Sequence, residues 1–395
     1  MENGVSIIIP TCNGGRTFSQ CLAAIKRQDY AGPLQLIIVD SGSTDKTVEL
    51  AINAGAQVQR IDPKQFHHAR TRNEAISLAS FDQVAFMVQD AVPCSDQWLS
   101  GMARALKENR AAAAFAAQVP HVDATPYARF ETESIAHARL DASDVGRISS
   151  LESFKKMPYD KAYRSVGLDN VCAIYRKEVL EKTPFPGVEF AEDLAWAVKI
   201  SILGHRVLYL PHIQVRHSHN RSADYCFRRQ IVNSYWLARI MGRVREDVSF
   251  LTLHDLAFLT GSVGALILRT VREKREGINR FPPEGFFLDH LLKQFPLISR
   301  IRVHWLDPFF AKRPGFPSPE MQEIAQRLNA DIAYQLKLIE DGYPPRDRKE
   351  WFQVLEQIAA NVLGRMHGEV YAGATLKGSV PRKLENFIKP FLKGV

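Results

Sequence analysis

Up to about Gln118 the chain alternates short apolar runs with stretches of helical period, and few folds tolerate that pattern. Val5 to Ile9, Leu34 to Val39, Val58 to Ile61, Val84 to Val88 and Ala113 to Ala117 read as strands. Thr17 to Gln28, Asp45 to Asn53, Ala69 to Ala79 and Gln97 to Glu108 read as the helices between them. Strands separated by helices are joined by right-handed crossovers and lie in a mostly parallel sheet, so the chain is predicted to be α/β. Sheets of this kind bind their ligands at the carboxyl ends of the strands, which is where functional residues are sought here.

Two loops fall at such ends. In Ser6-Ile-Ile-Ile-Pro-Thr-Cys-Asn13 the strand is stopped by Pro10 and opens into a Thr/Asn/Gly loop. Val39-Asp-Ser-Gly-Ser-Thr-Asp-Lys-Thr47 repeats the design, with Asp40 at the strand end. Asp40 can accept from the imino N–H of a pyrimidine base, Thr11 and Asn13 can bond a ribose or base edge, and Ser43 or Thr44 can cap a helix beginning near Asp45. Found in this order, the two loops resemble the nucleotide pocket of family-2 glycosyltransferases. The resemblance carries Pro10, Thr11, Asn13, Asp40 and Ser41 over as donor-binding residues and implies the GT-A fold, a Rossmann-like, mixed but mostly parallel sheet.

Gln89-Asp90-Ala91 follows the strand Val84 to Val88 directly, so Asp90 projects toward the same rim as Asp40. Sugar-transferring enzymes of the GT-A fold place a D-x-D motif there, because a diphosphate leaving group needs a divalent cation and hard carboxylates to hold it. Gln89 stands where the first acid is expected. The Gln-Asp-Ala form, with His67-His-Ala-Arg-Thr-Arg-Asn73 before it, looks like the rhamnosyltransferase branch of the family. By resemblance Asp90 is a ligand of Mg²⁺ or Mn²⁺ and Gln89 a donor-binding residue. Arg70 and Arg72 point in different directions on a helix, so at most one reaches the pyrophosphate; Arg72, followed by Asn73, matches the family pattern better.

Phe190-Ala-Glu-Asp-Leu-Ala-Trp196 places Glu192 and Asp193 in the first turn of a helix, where the macrodipole favours an ionised carboxylate. The segment resembles the family's E-D-x-x-W element, which implies Asp193 as the general base that takes the acceptor hydroxyl's proton. Glu192 is left to bind the acceptor or hold the site in shape, and Trp196 is carried over as a substrate contact. In Val215-Arg-His-Ser-His-Asn220, His217 and His219 alternate along an extended chain, so only one can face the site. The family often sets a histidine here against the metal or diphosphate, and His217 is the stronger candidate.

Elsewhere the chain is less explicit. Pro120 to Val166 is polar and irregular and reads as a mobile acceptor-side cover. Order resumes with a strand at Val171 to Tyr175, a helix from Lys177, a second helix from about Glu192 to Leu203, and strand-like Val207 to Leu210 and Ile213 to Val215. Beyond Arg221 only helices are read: Tyr225 to Val244, Leu251 to Val271, Leu288 to Phe295, Glu320 to Ile339 and Lys349 to Met366. This divides 395 residues into a GT-A domain over 1–221 and a helical region over 222–395. The longest apolar-leaning run, Leu256 to Leu268, is well short of the roughly 20 residues of a spanning helix, and no Q-x-x-R-W sequence follows His219. Both features point away from a processive polymer synthase. Near the end, Leu384, Phe387, Ile388, Phe391 and Leu392 follow helical spacing among Arg382, Lys383, Lys389 and Lys393. That face could anchor the chain to an anionic leaflet or dock against its own domain.

Hydrophobic residues at 46% and charged residues at 24% are globular values, and the five scattered cysteines form neither a zinc pattern nor a disulfide framework. No basic-then-apolar leader precedes Val5, so the expected location is cytoplasmic, with peripheral contact on the inner face of the membrane if the last helix anchors. The net charge of +8 suits anionic nucleotide-sugars or phospholipid as well as an ordinary surface; no nucleic-acid partner is read. Taken with the resemblance, the expectation is an inverting transferase. It would move a sugar, rhamnose from dTDP-rhamnose being favoured, to a hydroxyl of a glycan or lipid-linked acceptor in surface polysaccharide synthesis. The alternative is a non-catalytic nucleotide-sugar-binding scaffold of a polysaccharide assembly complex. A nucleotidyltransferase would need a glycine-rich phosphate loop ending in Arg and Lys, which Pro10-Thr-Cys-Asn-Gly-Gly15 does not supply.

Overall fold

Eight strands form one sheet: β1 (Val5–Thr11), β2 (Leu34–Asp40), β3 (Gln57–Arg60), β4 (Gln83–Met87), β5 (Val92–Pro93), β6 (Ala113–Val119), β7 (Cys172–Arg176) and β8 (Val207–Arg216), in the order β3-β2-β1-β4-β7-β6-β8-β5. The computed structural model describes residues 4–140, 148, 150–245, 248–274 and 317–393. Residues up to His219, apart from 125–127, form one compact unit; residues 125–127 and those from Asn220 onward form a second.

β1 pairs in parallel with β2 and β4, and β2 with β3. β7 runs antiparallel between β4 and β6, β8 is parallel to β6, and β5 is antiparallel to β8. The expected α/β order is therefore present, with antiparallel β5 and β7 making the sheet mixed. The carboxyl ends of β1, β2, β4, β6 and β8 and the amino end of β7 all reach one edge. That edge collects the site.

β1 is buried on both faces, which is why it reads as one continuous apolar run. Val5, Ile7 and Ile9 pack with Phe18, Leu22 and Ile25 of the helix Gly15–Lys26 and with Leu99, Met102 and Leu106 of the helix Trp98–Glu108. A separate aromatic cluster joins Phe86, Tyr175, Phe185 and Trp196, with edge-to-face centroid distances of 5.8 Å for Phe86–Tyr175 and 5.2 Å for Tyr175–Trp196. Such pairs add about 0.5–1.5 kcal/mol each beyond the area they bury.

Two readings change. Pro120 to Val166, expected as an irregular cover, contains the helices Pro126–Leu140, Leu151–Lys156 and Tyr159–Ser165. Pro126 and Pro158 stand at the first position and N-cap of helices, where no backbone donor is lost, so they start helices in a segment read as irregular. Ser150 and Ser153 form a capping box on the middle one. The two strand fragments expected at Val207 to Leu210 and Ile213 to Val215 are one strand: Ala116 faces Leu210 and Ala117 faces Gln214, so Pro211 to Ile213 bulge from the ladder.

The second unit holds the helices Ala223–Met241, Leu253–Glu273, Pro319–Gly342, Arg348–Leu376 and Arg382–Ile388. The helix expected at Leu288 to Phe295 lies outside the described residues. Gly364 and Gly368 bring Arg348–Leu376 against Ala223–Met241: a Cβ on them would stand 2.4 Å from the Phe227 carbonyl oxygen and 2.5 Å from that of Ile231. Of the last segment's apolar face, Leu384 and Ile388 are buried and the Phe387 ring meets Phe227 and His367, so the alternative of docking within its own domain is the one built here. Among the described residues no helix is long and apolar enough to cross a membrane.

Candidate active site

The loops after β1 and β2 are laced to each other. Asn13, at φ +48°, accepts at Oδ1 from the Thr44 and Asp45 amides at 2.9 and 3.3 Å and donates its own N–H to Ser43 Oγ at 2.9 Å. Gly14 N–H donates to Thr47 Oγ1 at 2.8 Å. The expected cap by Ser43 or Thr44 is thus replaced: the helix is Thr47–Asn53, with Asp45 Oδ1 accepting from Thr47 N–H at 2.9 Å. Asp40 is 2% exposed; one carboxylate oxygen accepts from the Gly42 and Ser43 amides at 3.2 and 3.1 Å, the other from Thr11 Oγ1 at 3.4 Å. Ser41 Oγ donates to the Thr11 carbonyl at 3.0 Å. Thr11, Asp40 and Ser41 therefore shape the loop pair, and Pro10 and Asn13 line its outer, less buried side.

Gln89 has a structural use that its place in the motif conceals. Its Oε1 accepts from Cys12 N–H at 2.9 Å and its Nε2 donates to the Cys12 carbonyl at 3.1 Å, so both ends of the amide clamp the backbone of one residue of the β1 loop. Its side-chain amide is thus engaged with the β1 loop, where the resemblance expected a donor contact. A carboxylate could not make the second bond.

Asp90 is half-buried. His217 Nε2 lies 3.8 Å from its Oδ1 and His219 Nδ1 3.6 Å from its Oδ2, and the two imidazoles meet edge to face at 4.6 Å. The three ligand atoms lie within 4.8 Å of one another. The expectation that only one histidine faces the site fails because β8 ends at Arg216; beyond it the chain is no longer an extended strand and the alternation of sides stops. His219 is thus a site residue that the pattern alone discards. One hard carboxylate and two imidazoles form a donor set that fits a divalent cation.

Glu192 and Asp193 open the helix Glu192–Ile202 after Ala191, which sits at φ +58°. Glu192 is buried against Arg72, Oε1 to Nη1 2.7 Å, and also accepts from Asn170 Nδ2 at 3.1 Å. Burial is the largest single influence and acts to raise its pKa, but Arg72, His68 and the Asn170 hydrogen bond together outweigh it and hold the carboxyl below its usual range. Asp193 accepts from Asn170 N–H at 2.9 Å and Leu194 N–H at 2.8 Å. Burial, and then the neighbouring Glu192 charge, push its carboxyl up to about 7. A base poised there is half ionised at neutral pH.

Two expectations fail on burial. Arg72 is 5% exposed at its side chain and committed to Glu192, so it does not extend to a pyrophosphate. Arg70 instead bonds the Gln65 carbonyl. Trp196 is fully buried in the aromatic cluster with its indole N–H on the Thr183 carbonyl at 2.7 Å, which makes it a core residue and not a substrate contact. Asn170 was missed. It bonds both acids and accepts at Oδ1 from Tyr175 Oη at 2.6 Å; the only signal was a polar Asp169-Asn170 pair just ahead of a strand.

Residues 6–183 match the model of glycosyl transferase family 2. The chain is 34% identical over 266 residues to the O-antigen chain rhamnosyltransferase RfbN of Salmonella typhimurium, covering 62% of this chain and 81% of that protein. It is 30% identical over 234 residues to the O-antigen chain rhamnosyltransferase WbaN of Salmonella anatum, covering 57% and 69%. Among solved structures it resembles the mannosyltransferase PcManGT of Pyrobaculum calidifontis in complex with GDP-Man and Mn²⁺, at 17% identity and a TM-score of 0.48, covering 92% of this chain and 86% of that one. With its motifs in order along one sheet edge and most of two rhamnosyltransferases matched, the chain belongs to glycosyl transferase family 2.

Proposed function

We propose that the protein is an inverting glycosyltransferase that moves rhamnose from dTDP-rhamnose to a hydroxyl of a glycan or lipid-linked acceptor in surface polysaccharide assembly. The observation that carries this reading is the pairing, on one sheet edge, of an Asp90–His217–His219 donor cluster with a carboxylate held near neutrality at Asp193. The matched rhamnosyltransferases support the sugar.

In this reading the nucleoside lies against the interlaced loops after β1 and β2, with Pro10 and Asn13 at their open side and Asp40 holding their shape. Asp90, His217 and His219 would hold the cation, and the two imidazoles favour Mn²⁺ over Mg²⁺, which prefers an all-oxygen shell. Such an ion, when bound, supplies positive charge against a departing diphosphate. Asp193 takes the proton from the acceptor hydroxyl as its oxygen attacks the anomeric carbon. Asn170 fixes the carboxylate for that task by bonding one of its oxygens, and Arg72 keeps Glu192 ionised and in place beside it.

The test is turnover of dTDP-rhamnose by the purified protein with Mn²⁺ and a lipid-linked glycan. Asp193→Asn is expected to lower kcat by about 10²–10⁴-fold. Unchanged turnover in that variant would sink the assignment of the base. Failure to bind any nucleoside diphosphate would favour the scaffold reading.

A further inference from the structure

One strip of side chains runs from the proposed cation site to the loop that carries the base. His217 Nδ1 lies 2.8 Å from Gln118 Oε1. Gln118 Nε2 donates to Asp169 Oδ2 at 3.0 Å, and the same oxygen receives Arg139 Nη1 at 2.6 Å. Asp169 Oδ1 accepts from Val171 N–H at 3.2 Å. The Arg139 guanidinium stacks over the Phe115 ring, 5.3 Å from its centroid. Phe115 is fully buried, and the side chains of His217, Gln118, Asp169 and Arg139 are partly buried.

The chemistry of the strip has one direction. A carboxylate paired with arginine only accepts, so Gln118 must turn its NH₂ toward Asp169 and its carbonyl oxygen toward His217. A carbonyl oxygen also only accepts. His217 therefore carries a proton on Nδ1, and in the neutral ring Nε2, the nitrogen on the Asp90 side, keeps its lone pair. The bulge of β8 opposite Ala116 and Ala117 accompanies this arrangement, since it resets the register so that Gln118 faces Val215, two residues before His217.

We propose that Gln118, oriented by the Asp169–Arg139 pair, is a positioning residue that sets the His217 tautomer and so presents Nε2 to the divalent cation. The inference rests on the reading of Asp90, His217 and His219 as the cation site. It also couples the two halves of the site. Asp169 orients the strip toward the cation, and the next residue, Asn170, holds Asp193 through its amide and Glu192 through its side chain. Partners of this kind around metal-binding histidines are commonly worth 10–100-fold in affinity.

The experiment uses full-length protein labelled with ¹⁵N-histidine at pH 8, with His217 assigned by loss of its signal in His217→Gln, and Mn²⁺ titrations of the same samples. The wild-type spectrum is expected to show His217 protonated at Nδ1. Gln118→Met removes the acceptor and is expected to move the ring toward the Nε2-protonated form and weaken Mn²⁺ binding about 10–100-fold. Gln118→Glu keeps an acceptor for Nδ1–H and should retain the wild-type tautomer. A wild-type His217 protonated at Nε2 overturns the proposal, even if Gln118→Met does not fold. So does a folded Gln118→Met that keeps both tautomer and Mn²⁺ affinity while His217→Gln loses affinity. If His217→Gln itself binds Mn²⁺ as tightly as wild type, the cation reading falls and the positioning role with it.

Discussion

Asp193 should cost the protein stability above neutral pH, and the cost can be read without any substrate. Its folded pKa of about 7 stands above an unfolded value near 3.9, so the folded state binds the proton more tightly. The stability this contributes is fully present below pH ~3.9 and is lost as pH rises through about 7. Relative to a residue that never ionises, the loss is about 1.5 kcal/mol at pH 5 and about 4 kcal/mol at pH 8. Asp193→Asn removes the charge but also forfeits an acceptor, because both carboxylate oxygens receive backbone N–H bonds, from Asn170 and Leu194, and an amide has one oxygen. Leaving a donor unmatched costs roughly 1–3 kcal/mol at any pH. The net expectation is a gain of about 1–3 kcal/mol at pH 8 that vanishes by pH 5. At about 2–4 °C per kcal/mol for a unit of this size, Tm should rise by several degrees at pH 8 and stay level or fall at pH 5. Thermal unfolding of wild type and variant across that range measures the difference directly, and a Tm difference that does not change with pH would refute the reasoning.

Arg72→Met should leave Glu192 buried without its cation and lower unfolding free energy by about 3–5 kcal/mol in urea titrations near neutral pH, with less loss at low pH where Glu192 protonates. Trp196→Phe keeps an aromatic ring in the cluster but orphans the Thr183 carbonyl, so a loss of about 1–3 kcal/mol is expected with kcat/KM per folded molecule unchanged; a selective kinetic defect would return Trp196 to the substrate. Gly364→Ala sets a methyl 2.4 Å from the Phe227 carbonyl oxygen and forces two helix backbones apart, an overpacking worth about 1–3 kcal/mol in chemical denaturation.

How much of this was legible depends on what kind of signal a role leaves. β1, β4 and the second half of β2 are buried on both faces, so they announce themselves as apolar runs with polar loops; Asp40 and Asp90 are picked out as the acids at or just beyond the ends of such strands, and Asp193 as an acid in the first turn of a helix. The helices within Pro120 to Val166 were missed because a proline that starts a helix, as Pro126 and Pro158 do, looks like one that breaks it until the following turn is seen. Trp196 and Arg72 sit in the right motifs, yet a motif position does not say whether a side chain turns outward to a ligand or inward to the core; burial decides, and burial depends on the aromatic cluster that Phe86, Tyr175 and Phe185 bring from other elements. Gln89, Gln118, Asp169 and Asn170 are harder still. Each acts through a hydrogen bond to a residue 22 to 99 positions away, and several of those bonds exist only because β7 enters antiparallel between β4 and β6. Groups that will meet a ligand tend to stand at strand ends and can be picked out by spacing. Groups that hold them in place are amides and carboxylates with no spacing of their own, defined by the partner they face, so the chemistry of such a site is readable well before its rigidity is.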